Sequence, residues 1–223
     1  MSITEIIPAE IKNDQFYNVI WQVASQVPGK NFLEIGSSSG AGSTEAWAKG
    51  IAQNPARPTL HCLEVSKPRF EVLREAYKNN PQVKCHWTSS VGLSRFPSKE
   101  QVTKFYNTVD HNLRQYPLEQ VLGWLDQDIK YIKDAAAPTD GIKRVLQETQ
   151  IYHFDAVLID GSEFLGEAEF GEIYGAPFIL LDDVRGYKCH NPYQWLKNDP
   201  TYKLIAENLS LRNGFAVFQR VKF

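Results

Sequence analysis

Asn31-Phe-Leu-Glu-Ile-Gly-Ser-Ser-Ser-Gly-Ala-Gly-Ser-Thr44 decides how the rest of the chain is read. Phe32 to Ile35 are mostly apolar, Gly36 ends them, and small residues lead into Ser43-Thr-Glu-Ala-Trp-Ala-Lys49, which has helical composition. The pattern is a buried strand, a glycine-rich turn and a helix start. Gly36 and Gly40 supply backbone freedom and close approach, and the unpaired N–H groups of a helix N-terminus attract an anion. The spacing Gly36-x-x-x-Gly40 is not the Gly-x-Gly-x-x-Gly of dinucleotide binders, and no Gly-Lys-Ser/Thr follows as in a P-loop.

On the N-terminal side, Phe16, Val19, Ile20 and Val23 fall at helical spacing between an Asn13 or Asp14 cap and the stop Pro28-Gly29. On the C-terminal side the same rhythm repeats. Leu60 to Val65 reads as a second strand, Ser66 to Tyr77 as a helix with a Ser cap and an early Pro, and Val83 to Trp87 as a third strand. Strands alternating with helices at this pitch predict right-handed crossovers and a parallel α/β sheet. Phe154 to Asp160 and Phe178 to Asp183 are nearly continuous apolar runs, as central parallel strands should be. Tyr202 to Glu207 and Phe215 to Arg220 flank Arg212-Asn-Gly214, which predicts a closing antiparallel pair.

Ser94 to Tyr152 breaks the rhythm. One crossover helix is expected there, yet the segment holds three helical patterns, the first opened by the capping box Ser98-Lys-Glu-Gln101. The chain is therefore read as one domain, 1–223, with 94–152 as an inserted helical cap plus a crossover helix; packing elaboration and substrate lid both stay open for the insert.

Composition excludes several classes. A net charge of −2 without a basic block argues against a nucleic-acid binder. No apolar run approaches the ~18 residues of a membrane span, and the N-terminus lacks a signal pattern, so a cytoplasmic protein without membrane partners is expected. Cys62, Cys85 and Cys189 are odd in number and form no Cys-x-x-Cys, so small buried thiols are expected rather than a disulfide or zinc site.

In an open parallel sheet, ligands bind beyond the carboxyl ends of the strands. Strand one presents Gly36 to Gly40 there. Strand two presents Glu64, able to accept both ribose hydroxyls of a nucleoside, and strand three presents Ser89 and Ser90, within reach of an adenine ring. Strand four presents Asp160 and strand five Asp182 and Asp183. Neighbouring strands lie ~4.8 Å apart, so these like charges repel unless some are protonated or a cation lies among them. An all-oxygen set suits Mg²⁺, with Ca²⁺ or Mn²⁺ as alternatives. Adjacent strand residues point to opposite faces, so Asp182 and Asp183 can share an ion only if the strand has already turned.

Glu34-Ile-Gly36-x-x-x-Gly40, the acid ending strand two, Asp160 and Asp182-Asp183 together resemble class I S-adenosylmethionine-dependent methyltransferases. The pattern is similar to the metal-dependent O-methyltransferases of the catechol, macrolide-sugar and cephalosporin type, and Leu158-Ile-Asp-Gly-Ser-Glu-Phe164 also resembles the FkbM-type enzymes. The resemblance covers Phe32 to Asp183 apart from the insert. It implies a Rossmann-like seven-stranded sheet, parallel with one antiparallel strand and with helices on both faces. It implies S-adenosylmethionine held by Glu34, Gly36, Ser37, Ser38, Gly40, Ser43, Glu64, Ser90 and Asp160, and Mg²⁺ held by Asp160, Asp182 and Asp183.

The catechol type has Lys three positions after the strand-four Asp; here Glu163 stands there. The general base is left between Glu163 and His190. His61, His86 and His153 read as structural, and His111 as solvent-facing. The expected reaction is methyl transfer to a hydroxyl of a sugar, polyol or other small acceptor, with Tyr187, Tyr193 and Trp195 as candidate contacts. A metal-independent methyltransferase, a non-catalytic binding protein of the same fold, and a homo-oligomer all stay open.

Overall fold

A computed structural model of the chain describes residues 3–222. Helix α1 (Gln15–Gln26) starts where the Asp14 carboxylate accepts the Tyr17 N–H at 2.8 Å. It is followed by β1 (Asn31–Ile35), α2 (Ser43–Ile51), β2 (Thr59–Glu64), α3 (Lys67–Tyr77) and β3 (Val83–Trp87). The insert contributes α4 (Lys99–Thr108), α5 (Leu118–Asp134) and α6 (Gly141–Thr149), with one 3₁₀ turn before α4 and another between α4 and α5. Then come β4 (Ala156–Ile159), α7 (Gly166–Ile173), β5 (Phe178–Asp182), α8 (His190–Asn198), β6 (Tyr202–Asn208) and β7 (Phe215–Arg220).

The strands form one sheet in the order β3-β2-β1-β4-β5-β7-β6. Pairing is parallel from β3 to β5, and β7 runs antiparallel to both of its neighbours. The strand order reverses between β1 and β4, so the carboxyl ends of these two strands open the crevice where a ligand can enter.

Alternation along the strands divides the core in two. Leu33, Ile35, Val157, Ile159, Ile179 and Leu181 meet Ile142 of α6, Phe170 of α7 and Leu196 of α8. Phe32, Leu60, Leu158 and Leu180 face Ile20 of α1, Trp47 of α2 and Leu73 of α3. Each fully buried Leu or Ile contributes roughly 1.5–3 kcal/mol relative to exposure, so two covered faces anchor the central strands.

The insert has its own core: Val102, Phe105, Leu113, Val121 and Leu125 pack with Phe164 and Tyr187. Those last two residues adjoin Glu163 and Lys188, so the insert is built onto the acidic edge of the sheet. Its first helix has the expected capping box, with the Ser98 hydroxyl accepting the Gln101 N–H and the Gln101 side chain accepting the Ser98 N–H.

Three local expectations are corrected. Ser66 precedes α3 without a side-chain cap; its own N–H is taken by the Glu64 carboxylate at 2.6 Å. His111 is buried, donating from Nε2 to the Tyr106 carbonyl at 3.0 Å and stacking on Phe105, because the insert folds back on itself. Asp183 lies past the end of β5, at φ +54°. Helix α8 had no clear periodic signal in its polar sequence His190-Asn-Pro-Tyr-Gln-Trp-Leu-Lys-Asn198.

Candidate active site

A cavity of about 480 Å³ opens at the carboxyl ends of β1, β2, β3 and β4. Its floor begins with the glycine turn. Gly36 has φ +87°, and a Cβ there would lie 2.1 Å from the Asp160 carbonyl oxygen, so only glycine lets the end of β1 approach the end of β4. The Gly36 and Ser37 N–H groups donate to the Leu63 carbonyl, and the Ser38 N–H donates to Glu64 Oε2 at 2.7 Å. Glu64 thus holds the turn through one oxygen and the start of α3 through the other. Burial pushes its pKa up, opposed by these backbone N–H groups and by Arg69.

The predicted residues Gly36, Ser37, Ser38, Ser43, Glu64, Ser90, Asp160, Glu163 and Asp183 all line this cavity. Glu34, Gly40, Asp182 and His190 are not among its lining residues. Glu34 is wholly buried under the turn, its Oε2 accepting the Thr44 hydroxyl at 2.5 Å, and so ties β1 to α2. The Gly40 carbonyl accepts the Tyr77 hydroxyl at 2.7 Å on the outer side of the turn. His190 opens α8 and packs edge-on against Phe105 at 5.5 Å. Tyr187 and Tyr193 are core residues and Trp195 is exposed, none of them lining the cavity. The aromatic wall comes instead from Tyr116 and Trp124 of the insert, in edge contact at 4.9 Å, with Phe96 and Phe164.

The acids converge as expected: Asp160, Asp182 and Asp183 bring carboxylate oxygens within 4.8 Å of one another. The left-handed backbone at Asp183 is the turn that makes this meeting feasible. Between them lies a side chain the sequence reading passed over. Lys188 is buried, and its Nζ stands 2.8 Å from Asp160 Oδ1 and 2.7 Å from Asp183 Oδ2. On the far side, Arg212 donates to Asp182 at 3.1 Å and pairs with Asp14. Burial opposes charge on Lys188, but Asp160 and Asp183 raise its pKa well above the ordinary value, so it remains an ammonium. Burial likewise acts against the Asp183 carboxylate, and the ammonium nevertheless holds its pKa low.

Two neighbouring carboxyls are poised near neutrality. Burial pushes Asp160 to about 6, offset in part by Lys188. Burial and then Asp183 push Glu163 to about 7. Glu163 Oε1 accepts the Tyr187 N–H at 2.6 Å and the Lys188 N–H at 3.3 Å, which fixes the β5–α8 loop onto the loop after β4. A third carboxyl, Glu169 of α7, is wholly buried, raised by burial to about 7, and accepts the Ser90 hydroxyl at 2.5 Å. Asp128 of α5 accepts the Ser162 hydroxyl at 2.6 Å, so the insert is hydrogen-bonded to the loop after β4.

Lys188, Glu169, Asp128, Tyr116 and Trp124 went unseen in the sequence. Lys188 stands two residues before His190, but nothing in its local spacing shows that it reaches Asp160, 28 positions away.

The architecture has solved counterparts. An O-methyltransferase from Bacillus cereus in complex with SAH is similar at a TM-score of 0.56 and 15% identity, over 96% of this chain and 84% of that one. The chain has the fold of these methyltransferases. An SAH-bound methyltransferase from Podospora anserina is similar at a TM-score of 0.53 and 16% identity, over 96% and 81%. A cofactor-bound protein from MTB is similar at 0.56 and 15%, over 96% and 83%. No protein-family model and no curated protein matches the sequence. Among the described residues no helix is long and apolar enough to cross a membrane.

Proposed function

We propose that this chain is an S-adenosylmethionine-dependent O-methyltransferase acting on a hydroxyl of a small sugar- or polyol-like acceptor. The observation that carries the reading is one cavity shared by the Gly36–Ser38 turn, the Glu64 carboxylate, Asp160 and Asp183. Its fold is that of proteins solved with SAH, the demethylated form of the cofactor.

Each Glu64 oxygen accepts one backbone N–H and keeps a lone pair for a ribose hydroxyl. Ser89 and Ser90 line the same cavity and are the groups assigned to the adenine end in this reading. When bound, the sulfonium cofactor supplies an electrophilic methyl group. Glu163, a carboxyl at the cavity that is half ionised near pH 7, is the group to take the acceptor's proton. His190 is set aside as base because it packs against Phe105 outside the lining. Tyr116 and Trp124 supply apolar faces of the sort that pack on sugar C–H surfaces, and α5 forms one wall of the cavity through Trp124, Asp128 and Ile132.

A resident Mg²⁺ fits poorly. The donor chemistry is right, but Mg²⁺ needs oxygens at ~2.0–2.1 Å in near-octahedral array, and the Lys188 ammonium stands between two of the three carboxylates. No step is routed through a metal.

Calorimetric titration with SAH tests the cofactor assignment. The wild type should bind one equivalent, and Glu64→Ala should weaken binding at least tenfold, about 1.4 kcal/mol. An absence of wild-type binding at millimolar SAH would sink the reading. Methyl-tritiated S-adenosylmethionine offered with methyl glycosides and inositols then tests the acceptor class.

A further inference from the structure

We infer that Lys188 is the built-in cation of this site, its ammonium taking the position a divalent ion would need and presenting its remaining N–H to the acceptor oxygen. The inference rests on the methyltransferase reading for the acceptor, though not for the cation position.

The backbone of Lys188 is fixed from two sides. Its N–H reaches Glu163 Oε1, and its carbonyl lies so close to Gly166 that a Cβ there would come within 1.9 Å. From that anchored point the side chain is buried and its head reaches the acids ending β4 and β5. An ammonium has three N–H donors; Asp160 and Asp183 take two, and the residue lines the cavity, so the third is left for a ligand. Arg212 cannot exchange roles with it, being committed to Asp14 and Asp182.

The step balances without a metal. The acceptor oxygen attacks the methyl carbon, the C–S bond breaks with its electron pair going to sulfur, and the hydroxyl proton passes to a Glu163 oxygen. Lys188 keeps its own proton throughout, steadying the negative charge that develops on the acceptor oxygen, a fixed-donor role of the kind that operates at oxyanion sites.

Chelator-treated protein, titrated with Mn²⁺ by calorimetry and by the Mn²⁺ electron-paramagnetic signal, tests this. The wild type should bind no Mn²⁺ up to 1 mM, and tritium transfer to whichever probe glycoside or inositol is accepted should change less than twofold with chelator. Lys188→Met, which keeps an apolar stem of similar shape and removes the ammonium from between the carboxylates, should gain one Mn²⁺ per chain and lose transfer by about a hundredfold. Micromolar Mn²⁺ binding by the wild type, loss of its transfer in chelator, or a folded Lys188→Met that gains no Mn²⁺ each overturns the inference. Should Lys188→Met fail to fold by circular dichroism, the wild-type titration still decides. SAH titration of the same samples separates the two readings: no SAH binding removes the methyltransferase, while the Mn²⁺ arms report on the cation position regardless.

Discussion

A Cβ placed on Gly36 would come within 2.1 Å of the Asp160 carbonyl oxygen, so the first strand's turn and the fourth strand's end touch through bare backbone. Gly36→Ala must therefore shift one of the two strand ends and also strain a φ of +87°. The strain alone costs about 1–3 kcal/mol and the forced repacking a similar amount. The variant should lose at least ~2 kcal/mol in urea unfolding and bind SAH measurably more weakly. Gly123→Ala in α5, where an added Cβ meets nothing within 4 Å, is the control and should be neutral or slightly stabilising. Equal stability of Gly36→Ala and wild type would show the contact is not a constraint.

Glu163 sets the expected pH dependence of transfer. Its pKa is raised to about 7 by burial and by Asp183, and a base acts only when ionised. The free-enzyme profile of kcat/KM with an accepted probe should rise with pH through about 7 and level off above it. Glu163→Gln keeps an oxygen for the Tyr187 N–H but cannot accept a proton, and should lower kcat by ~10²–10⁴-fold. An unchanged rate in that variant would assign the proton to another group, with Asp160 the next to test.

Glu169 makes a prediction about stability rather than rate. Its folded pKa of about 7 lies above the unfolded value of 4.5, so the folded state binds the proton more readily. The stability it contributes is fully present below pH 4.5 and is lost as pH rises through about 7. Gln at this position mimics the neutral acid and can still accept the Ser90 hydroxyl. Glu169→Gln should match wild type near pH 4.5 and exceed it above pH 7 by on the order of 3 kcal/mol, the worth of the shift. Paired urea melts at pH 5 and pH 8 read the difference; a gap that does not grow with pH would mean Glu169 is not held neutral.

The sheet was legible because its signals are local. Phe32 to Ile35, Val157 to Ile159 and Ile179 to Leu181 are apolar on both faces, which only a strand covered by helices on each side requires. The turn residues Gly36 to Ser38 and the acid Glu64 were legible for the same reason, since a parallel sheet puts every strand's carboxyl end at one edge. Helix α8 was not, because its apolar residues are few and its stability comes from packing Tyr193 and Leu196 on the sheet.

The sequence by itself determined which groups reach the crevice: a glycine turn, an acid after β2, and acids after β4 and β5. Those positions follow from parallel pairing, which puts the carboxyl end of every such strand at one edge of the sheet. Only the tertiary structure decided how those charges are balanced. Asp182 turns toward Arg212, which also pairs with Asp14; Asp160 and Asp183 close on Lys188; and Glu34 drops beneath the turn onto Thr44. Those pairings depend on the paths of loops whose ends are far apart in the chain, and Coulomb attraction in a buried site selects among them by distance, not by sequence spacing. The three acids do meet, and Lys188 and Arg212 are the side-chain cations that stand against them.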